Sequence, residues 1–184
     1  MGKNWPCWRG SLTTAHEGDP GPDDWLLFLD ADVRVTPQAL RWALADAIRN
    51  GADLLTLAPR LRCGCLAEWL VQPIIVSLLG LSFPIQRAND SSDPLAFASG
   101  PFMLFRHSSY RALGGHRAVA AEVVEDLALG RAIKQAGLRL RYLLAIDLLS
   151  LRMYRDFAAL WEGWTKNWFL GAEGNPIKAL GGGA

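Results

Sequence analysis

Cysteine and histidine each occur only three times in 184 residues. Cys7, Cys63 and Cys65 have neither the spacing nor the neighbouring histidines of a zinc site, and an odd count makes no disulfide framework. They read as reduced thiols of a cytosolic protein. An excess of charge of one sign is lacking too. With 19 basic and 18 acidic residues the formal net charge is +1, which gives none of the electrostatic footprint of a nucleic-acid binder, so no nucleic acid is expected as a partner. No apolar run is long and clean enough to span a bilayer: the longest, Leu66 to Ile85, contains Glu68, Gln72, Pro73 and Pro84. A segment of that kind suits a membrane surface. Met1 to Trp5 has no apolar core behind basic residues, which excludes a secretory signal there. Internal repeats are absent, and the length fits one domain.

A first strand is missing as well. Doubly wound domains open on a strand whose loop holds a nucleotide base, and the irregular stretch up to Asp24, with its breakers Gly18-Asp19-Pro20-Gly21-Pro22-Asp23, supplies none. The expectation is a single partial domain over residues 1–184.

What is present centres on Trp25-Leu26-Leu27-Phe28-Leu29-Asp30-Ala31-Asp32. Five apolar residues in a row predict a strand buried on both faces, and the strand ends at two carboxylates. In an open α/β sheet the ligand crevice lies beyond the carboxyl ends of the strands, so Asp30 and Asp32 belong at its lip. Two such oxygens suit a hard cation, Mg2+ or Mn2+, and through it a phosphate. The plainer alternative is an acidic turn that opens the next helix.

Thr36-Pro37 predicts a capped helix start, the helix running to a stop at Asn50-Gly51. Asp53 to Ala58 follows as a strand, completing a strand-helix-strand unit. From Leu66 onward a helix is expected that Pro73 kinks or interrupts. The small residues Ala98-Ser99-Gly100 precede another short strand, and they predict a close backbone approach, either as tight packing or as a wall for substrate. Ser108 to Leu113 reads as a short serine-capped helix ended by Gly114-Gly115, with His116 in a surface loop. Glu125 and Asp126 open a helix that ends near Gly137. Their alternatives are first-turn electrostatics and a general base. Leu138 to Met153 predicts two short strands or one bent one. The last helix, Phe157 to Leu170, sets Phe157, Trp161, Trp164 and Trp168 on one face, with Gly163 in mid-helix as a costly choice unless something packs closely there. Trp5 and Trp8 also belong to the eight tryptophans, a residue that favours interfaces between apolar and wet surroundings.

The order of these elements, from Gly2-Lys3-Asn4-Trp5 through Asp30-Ala31-Asp32, Ser99-Gly100-Pro101-Phe102, Gly114-Gly115-His116 and Glu125-Asp126 to Trp164-Thr165-Lys166-Asn167, resembles the membrane-associated inverting glycosyltransferases of family 2. The closest likeness is to the bacterial branch acting on carotenoids, hopanoids or ceramide-like lipids. The resemblance implies an α/β fold of the GT-A type, partial here, with a mixed, mainly parallel Rossmann-like sheet and flanking helices. It also implies a nucleotide-sugar donor, a lipid-like acceptor, Mg2+ or Mn2+ as cofactor, and a place at the cytoplasmic face of a membrane. By the same resemblance Asp30 would approach the nucleotide, Asp32 with Asp30 would hold the metal, and Lys3 would lie near the nucleotide. Asp126 would be the catalytic base with Glu125 as its neighbour, while Gly100, Trp164 and Lys166 would border the acceptor or the diphosphate. The family's late Gln-x-x-Arg-Trp pattern reads here Leu160-Trp161-Glu162-Gly163-Trp164, so only Trp164 is kept and processive polymer synthesis is not expected.

The chemistry asks for such a set. Charge builds on the departing diphosphate oxygen, where a bound divalent ion offsets it, and a hydroxyl acceptor needs a carboxylate to take its proton. Phe28 to Val35 also resembles the opening aspartate motif of haloacid dehalogenase phosphatases, with Asp30 as nucleophile, but no late paired-aspartate motif follows. A non-catalytic α/β remnant that binds a membrane or partner through its aromatic face is the other alternative.

Overall fold

The structure, a computed structural model, describes residues 3–13, 21 and 23–171, the side chains of 167–171 excepted. Most of the breaker loop before Asp23, the side chain of Trp168 and the terminal glycines lie outside the described residues. In chain order the elements are α1 (Asn4–Thr13), β1 (Trp25–Leu29), β2 (Arg34–Val35), α2 (Ala39–Arg49), β3 (Leu54–Ala58), β4 (Arg60–Leu61), α3 (Leu66–Ser82) and α4 (Ile85–Asn89). Then come β5 (Phe102–Arg106), α5 (His107–Ala112), α6 (Gly115–Ala118), α7 (Glu125–Gln135), β6 (Leu140–Leu144), β7 (Leu149–Leu151) and α8 (Phe157–Gly171).

The main sheet has the order β1-β5-β3-β6, and a second, small sheet has the order β2-β7-β4. β3 and β6 pair parallel, while β5 pairs antiparallel with both β1 and β3. Three of the four strands therefore run one way, and β5 is inserted against them between β1 and β3. The sheet is mixed, with helices on both faces, which is the α/β class and GT-A-like arrangement the sequence implied.

Strand periodicity sorts the core into two layers. Leu55, Leu57, Phe102 and Leu104 point to one face, against Ala39, Ala43 and Ala47 of α2. Leu54, Met103 and Phe105 point to the other, against Tyr110 of α5 and Leu129 and Ile133 of α7. Alanines four residues apart let α2 sit close to the strands. β1 departs from its expected double burial. It is an edge strand among the described residues, and while Leu26 and Phe28 pack inward, Leu27 and Leu29 stay exposed because α2 lies over β3 and β5 instead.

Four local expectations need correction. α2 begins at Ala39, with Gln38 as an uncapped N-cap. Thr36 is held instead by backbone bonds, donating from N to the Leu148 carbonyl and accepting from Ala39 N, so the small sheet has claimed the residue before the helix starts. α5 begins at His107 without a side-chain cap, and the hydroxyl that matters is that of Ser109, which donates to Asp53 Oδ1 at 2.6 Å. His116 is in no surface loop: it belongs to α6 and is buried.

α3 is the fourth case, for of the two alternatives at Pro73 the interruption does not occur and the helix runs on past it. Proline there gives up one i→i−4 bond, and the helix has a strongly fixed first turn. Glu68 accepts from the backbone N–H groups of Gly64 and Cys65 at 2.7 and 3.1 Å, closing a capping box, and pairs with Arg152 Nη2 at 2.9 Å. Burial would raise the Glu68 pKa, but the Arg152 guanidinium and the two N–H groups hold it below the ordinary value. One turn on, Gln72 accepts from the Trp164 indole Nε1 at 3.2 Å. α8 therefore docks on the polar side of α3, and most of the apolar side, including Leu66, Trp69, Leu70, Ile74 and Leu81, is exposed. No helix among the described residues is long and apolar enough to cross a membrane.

Gly163 has the close neighbour that its mid-helix position demanded. A Cβ there would collide with the Tyr154 ring, which meets Trp164 edge to face at a centroid distance of 6.1 Å. Gly163→Ala is expected to destabilise the chain by about 1–3 kcal/mol, as overpacking does. Urea melts check this, and most of the loss should return in the Gly163→Ala/Tyr154→Ala pair; an additive pair would contradict the contact.

Candidate functional site

Two loops and two helix starts converge beyond the end of β1. Asp30 follows β1, and its N–H donates to the Pro101 carbonyl at 3.2 Å, tying that strand end to the loop before β5. The same loop is clamped from β3 by Thr56, whose buried hydroxyl donates to the Ser99 carbonyl and accepts from Ser99 N, both at 2.8 Å. One residue on, Gly100 N donates to Asp126 Oδ2 at 2.8 Å, and Leu127 N donates to Asp126 Oδ1 at 2.8 Å. The Asp126 carboxylate is thus aimed by a loop on one side and by its own helix on the other. Gly100 is needed for this approach, since a Cβ there would lie 2.9 Å from Asp126 Oδ2 and 3.1 Å from Lys3 Nζ.

Lys3 closes the group. Its Nζ lies 2.7 Å from Glu125 Oε1 and 3.1 Å from Asp30 Oδ1. It is brought there by α1, where the Asn4 side-chain amide donates to the Val119 and Glu122 carbonyls at 3.0 and 3.4 Å. Lys3, Asp30, Gly100, Glu125 and Asp126 therefore share one network. Asp32 is exposed in the turn two residues beyond Asp30. Trp164 lies elsewhere, on α3 through Gln72, and Lys166 is exposed on α8; no contact among the described residues links either to the network.

Burial and network charge set the protonation states. Loss of water, reinforced by the Glu125 charge, pushes the Asp126 carboxyl up to about 6 against the pull of Lys3 and the two N–H donors. Burial alone would lower the Lys3 ammonium, yet Glu125 and Asp30 hold it well above its ordinary value. Beneath the group, burial drives His116 down to about 4, so that it is neutral at pH 7. Its Nδ1 is 2.8 Å from the Tyr110 hydroxyl and its ring packs 4.5 Å from that of Phe28. The sequence reading missed this histidine, and missed Asn4 and Thr56. Thr56 alone carried a signal, as the one polar residue inside the buried run Leu54-Leu55-Thr56-Leu57.

Asp30 and Asp32 fit a hard divalent ion by their chemistry. No trio of His, Cys, Asp or Glu among the described residues forms a protein-only cage. One or two carboxylates completed by water and substrate oxygens are the donor set that Mg2+ takes at phosphate sites, and Mn2+ accepts the same oxygens.

Comparison with known proteins follows the same lines. The family model described as "Glycosyl transferase family 21" matches residues 21–164. The 4,4'-diaponeurosporenoate glycosyltransferases of Staphylococcus aureus strains USA300, NCTC 8325 / PS 47 and Newman are each 34% identical to the chain over 84 residues. That stretch is 45% of this chain and 22% of each relative, so the match spans about a fifth of the relatives' length.

The raised Asp126 carboxyl has a consequence for stability. Its ordinary value of 3.8 rises to about 6 in the fold, so the folded state holds this proton more tightly than the unfolded chain does. The resulting stabilisation is present at low pH and is lost as pH rises from 3.8 through about 6. Asp126→Asn lacks this loss. The melting temperature of the variant relative to the parent should therefore climb across that window, and a difference independent of pH would show that the carboxyl titrates normally.

Proposed function

The chain belongs to glycosyl transferase family 21, and from that premise we propose that it transfers a sugar from a nucleotide-diphosphate donor to a hydroxyl or carboxyl of a lipid-like acceptor, with inversion. The staphylococcal relatives are 4,4'-diaponeurosporenoate glycosyltransferases, which supports the lipid-like acceptor. The observation that carries the reading is the convergence of Lys3, Asp30, Gly100, Glu125 and Asp126 on one network at the strand ends.

In this reading Lys3 sits near the nucleotide and holds Asp30 and Glu125 in place. Asp30 and Asp32 hold Mg2+ or Mn2+, which supplies Lewis-acid charge against the negative charge of the departing diphosphate. Asp126, ionised at neutral pH yet more basic than an ordinary aspartate, takes the proton of an acceptor hydroxyl as its oxygen bonds to the anomeric carbon. The carbon–oxygen bond to the diphosphate breaks on the opposite face, so configuration inverts. Gly100 keeps the base in position by leaving room for it and donating to it. With an acceptor that is already a carboxylate, no proton has to be removed and the base matters less.

The exposed apolar side of α3, with Phe157 and Trp161 of α8, supports docking at a lipid surface, which we place at the cytoplasmic face. Flotation with liposomes is the check, and a chain that stays wholly in the soluble fraction on every lipid mixture would remove that part of the reading.

Two sets of variants test the chemistry. With a hydroxyl acceptor, Asp126→Asn is expected to leave donor binding nearly intact and to slow turnover by roughly two to four orders of magnitude, with Glu125→Gln doing less. Near-normal turnover, or a defect wholly in donor affinity, would return Asp126 to a helix-start role. Binding of nucleoside diphosphate is expected to need Mn2+ or Mg2+ and to weaken more in Asp32→Asn than in Asp30→Asn. Metal-independent binding that survives both changes would exclude the metal site.

A further inference from the structure

Away from the Asp126 network, a cleft of about 340 Å³ opens over the small sheet, lined in part by Arg34, Thr36, Arg60, Arg62, Asp147 and Ser150. Strand register explains how the charges meet. Arg34 of β2 and Arg60 of β4 are both direct partners of Ser150 on β7, one from each side. Residues directly opposite across a sheet project from the same face, so Arg34, Ser150 and Arg60 form a row three strands wide. Thr36 and Arg62, each two residues further along their chains, continue that face. Like charges brought together in this way cost stability unless something neutralises them.

Among the described residues only one group does so. Asp147 pairs with Arg60 Nη2 at 2.9 Å, while Arg60 Nε donates to the Ile146 carbonyl at 3.0 Å. Arg34 and Arg62 form no ion pair among the described residues, and both are exposed. The Thr36 hydroxyl, shut off from water, has no hydrogen-bond partner. Two unpaired guanidiniums, a shared third and the serine between them in one cleft are the donors that a tetrahedral oxyanion takes. The charge and fork geometry of arginine favour phosphate over a neutral ligand.

We propose that this cleft is a phosphate-binding site, distinct from the donor site. Arg62 stands four positions before Leu66, where the exposed apolar side of α3 begins, so a phosphate borne by an anionic phospholipid is in reach as well as one free in solution. The proposal does not depend on the transfer reaction.

The test uses the whole chain and two probes. Inorganic phosphate is titrated by calorimetry, and binding is measured to vesicles of phosphatidylcholine alone and of phosphatidylcholine with phosphatidylglycerol. At least one phosphate source should bind, and Arg34→Gln/Arg62→Gln should weaken it by about tenfold or more. Arg111→Gln, which removes a charge from exposed α5 surface, should change it little. Calorimetric binding without vesicle preference identifies a free phosphate; binding only to the phosphatidylglycerol vesicles identifies a lipid headgroup. Asp126→Asn should bind either probe like the parent, so a failure of the catalytic reading leaves this one standing. Absence of binding to both probes, or equal losses in the cleft variant and Arg111→Gln, would overturn the proposal.

Discussion

The Lys3 ammonium is the point on which the site depends. One carboxylate that it holds follows an edge strand and the other opens α7, so a single cation closes α1, β1 and α7 around the same spot. Because the lysine is only partly exposed and faces two acids, its charge is secured against the cost of burial. Without it Asp30 and Glu125 would face each other with no positive partner, and Asp126 beside them would be harder still to ionise. The position of Asp126 follows from this arrangement and from the Gly100 N–H that meets it.

Much of the remaining polar chemistry in the fold serves to align segments. Thr56 fixes the Ser99 loop from inside the main sheet, Asp53 ties Ser109 and Arg139 N to the start of β3, and Glu68 joins the head of α3 to Arg152. Each is a buried or half-buried group with satisfied partners, as burial of polar atoms requires. α3 uses this arrangement in reverse of an ordinary surface helix. Its polar residues Glu68 and Gln72 point inward to Arg152 and Trp164, and much of its apolar surface is exposed among the described residues.

The strand ending in Asp30 and Asp32, the helix stop at Asn50-Gly51, the helix from Glu125 to Gly137 and the need for a close neighbour at Gly163 were all legible in the sequence, because each rests on local chemistry. Apolar runs, positive-φ glycines and first-turn acids act over a few residues, and the structure has positive φ at Gly51, Gly114, Gly115 and Gly137. Membership of the glycosyltransferases is likewise carried by motif order along the chain, which resembles family 2, while the family model that matches is that of family 21.

Only the tertiary structure decided the rest. β5 comes to lie between β1 and β3, which turns a strand that reads as doubly buried into an edge with Leu27 and Leu29 exposed. His116 reads as a loop residue but is buried by Phe28 and Tyr110, which come from elsewhere in the chain. Pro73 reads as a kink or an interruption, yet the helix continues past it, with its first turn held to distant Arg152 through Glu68. The row Arg34, Ser150, Arg60 exists solely through strand register. Local pattern determines which segments form, whereas the pairing of strands and the burial of a polar side chain depend on partners that only the folded chain brings within reach.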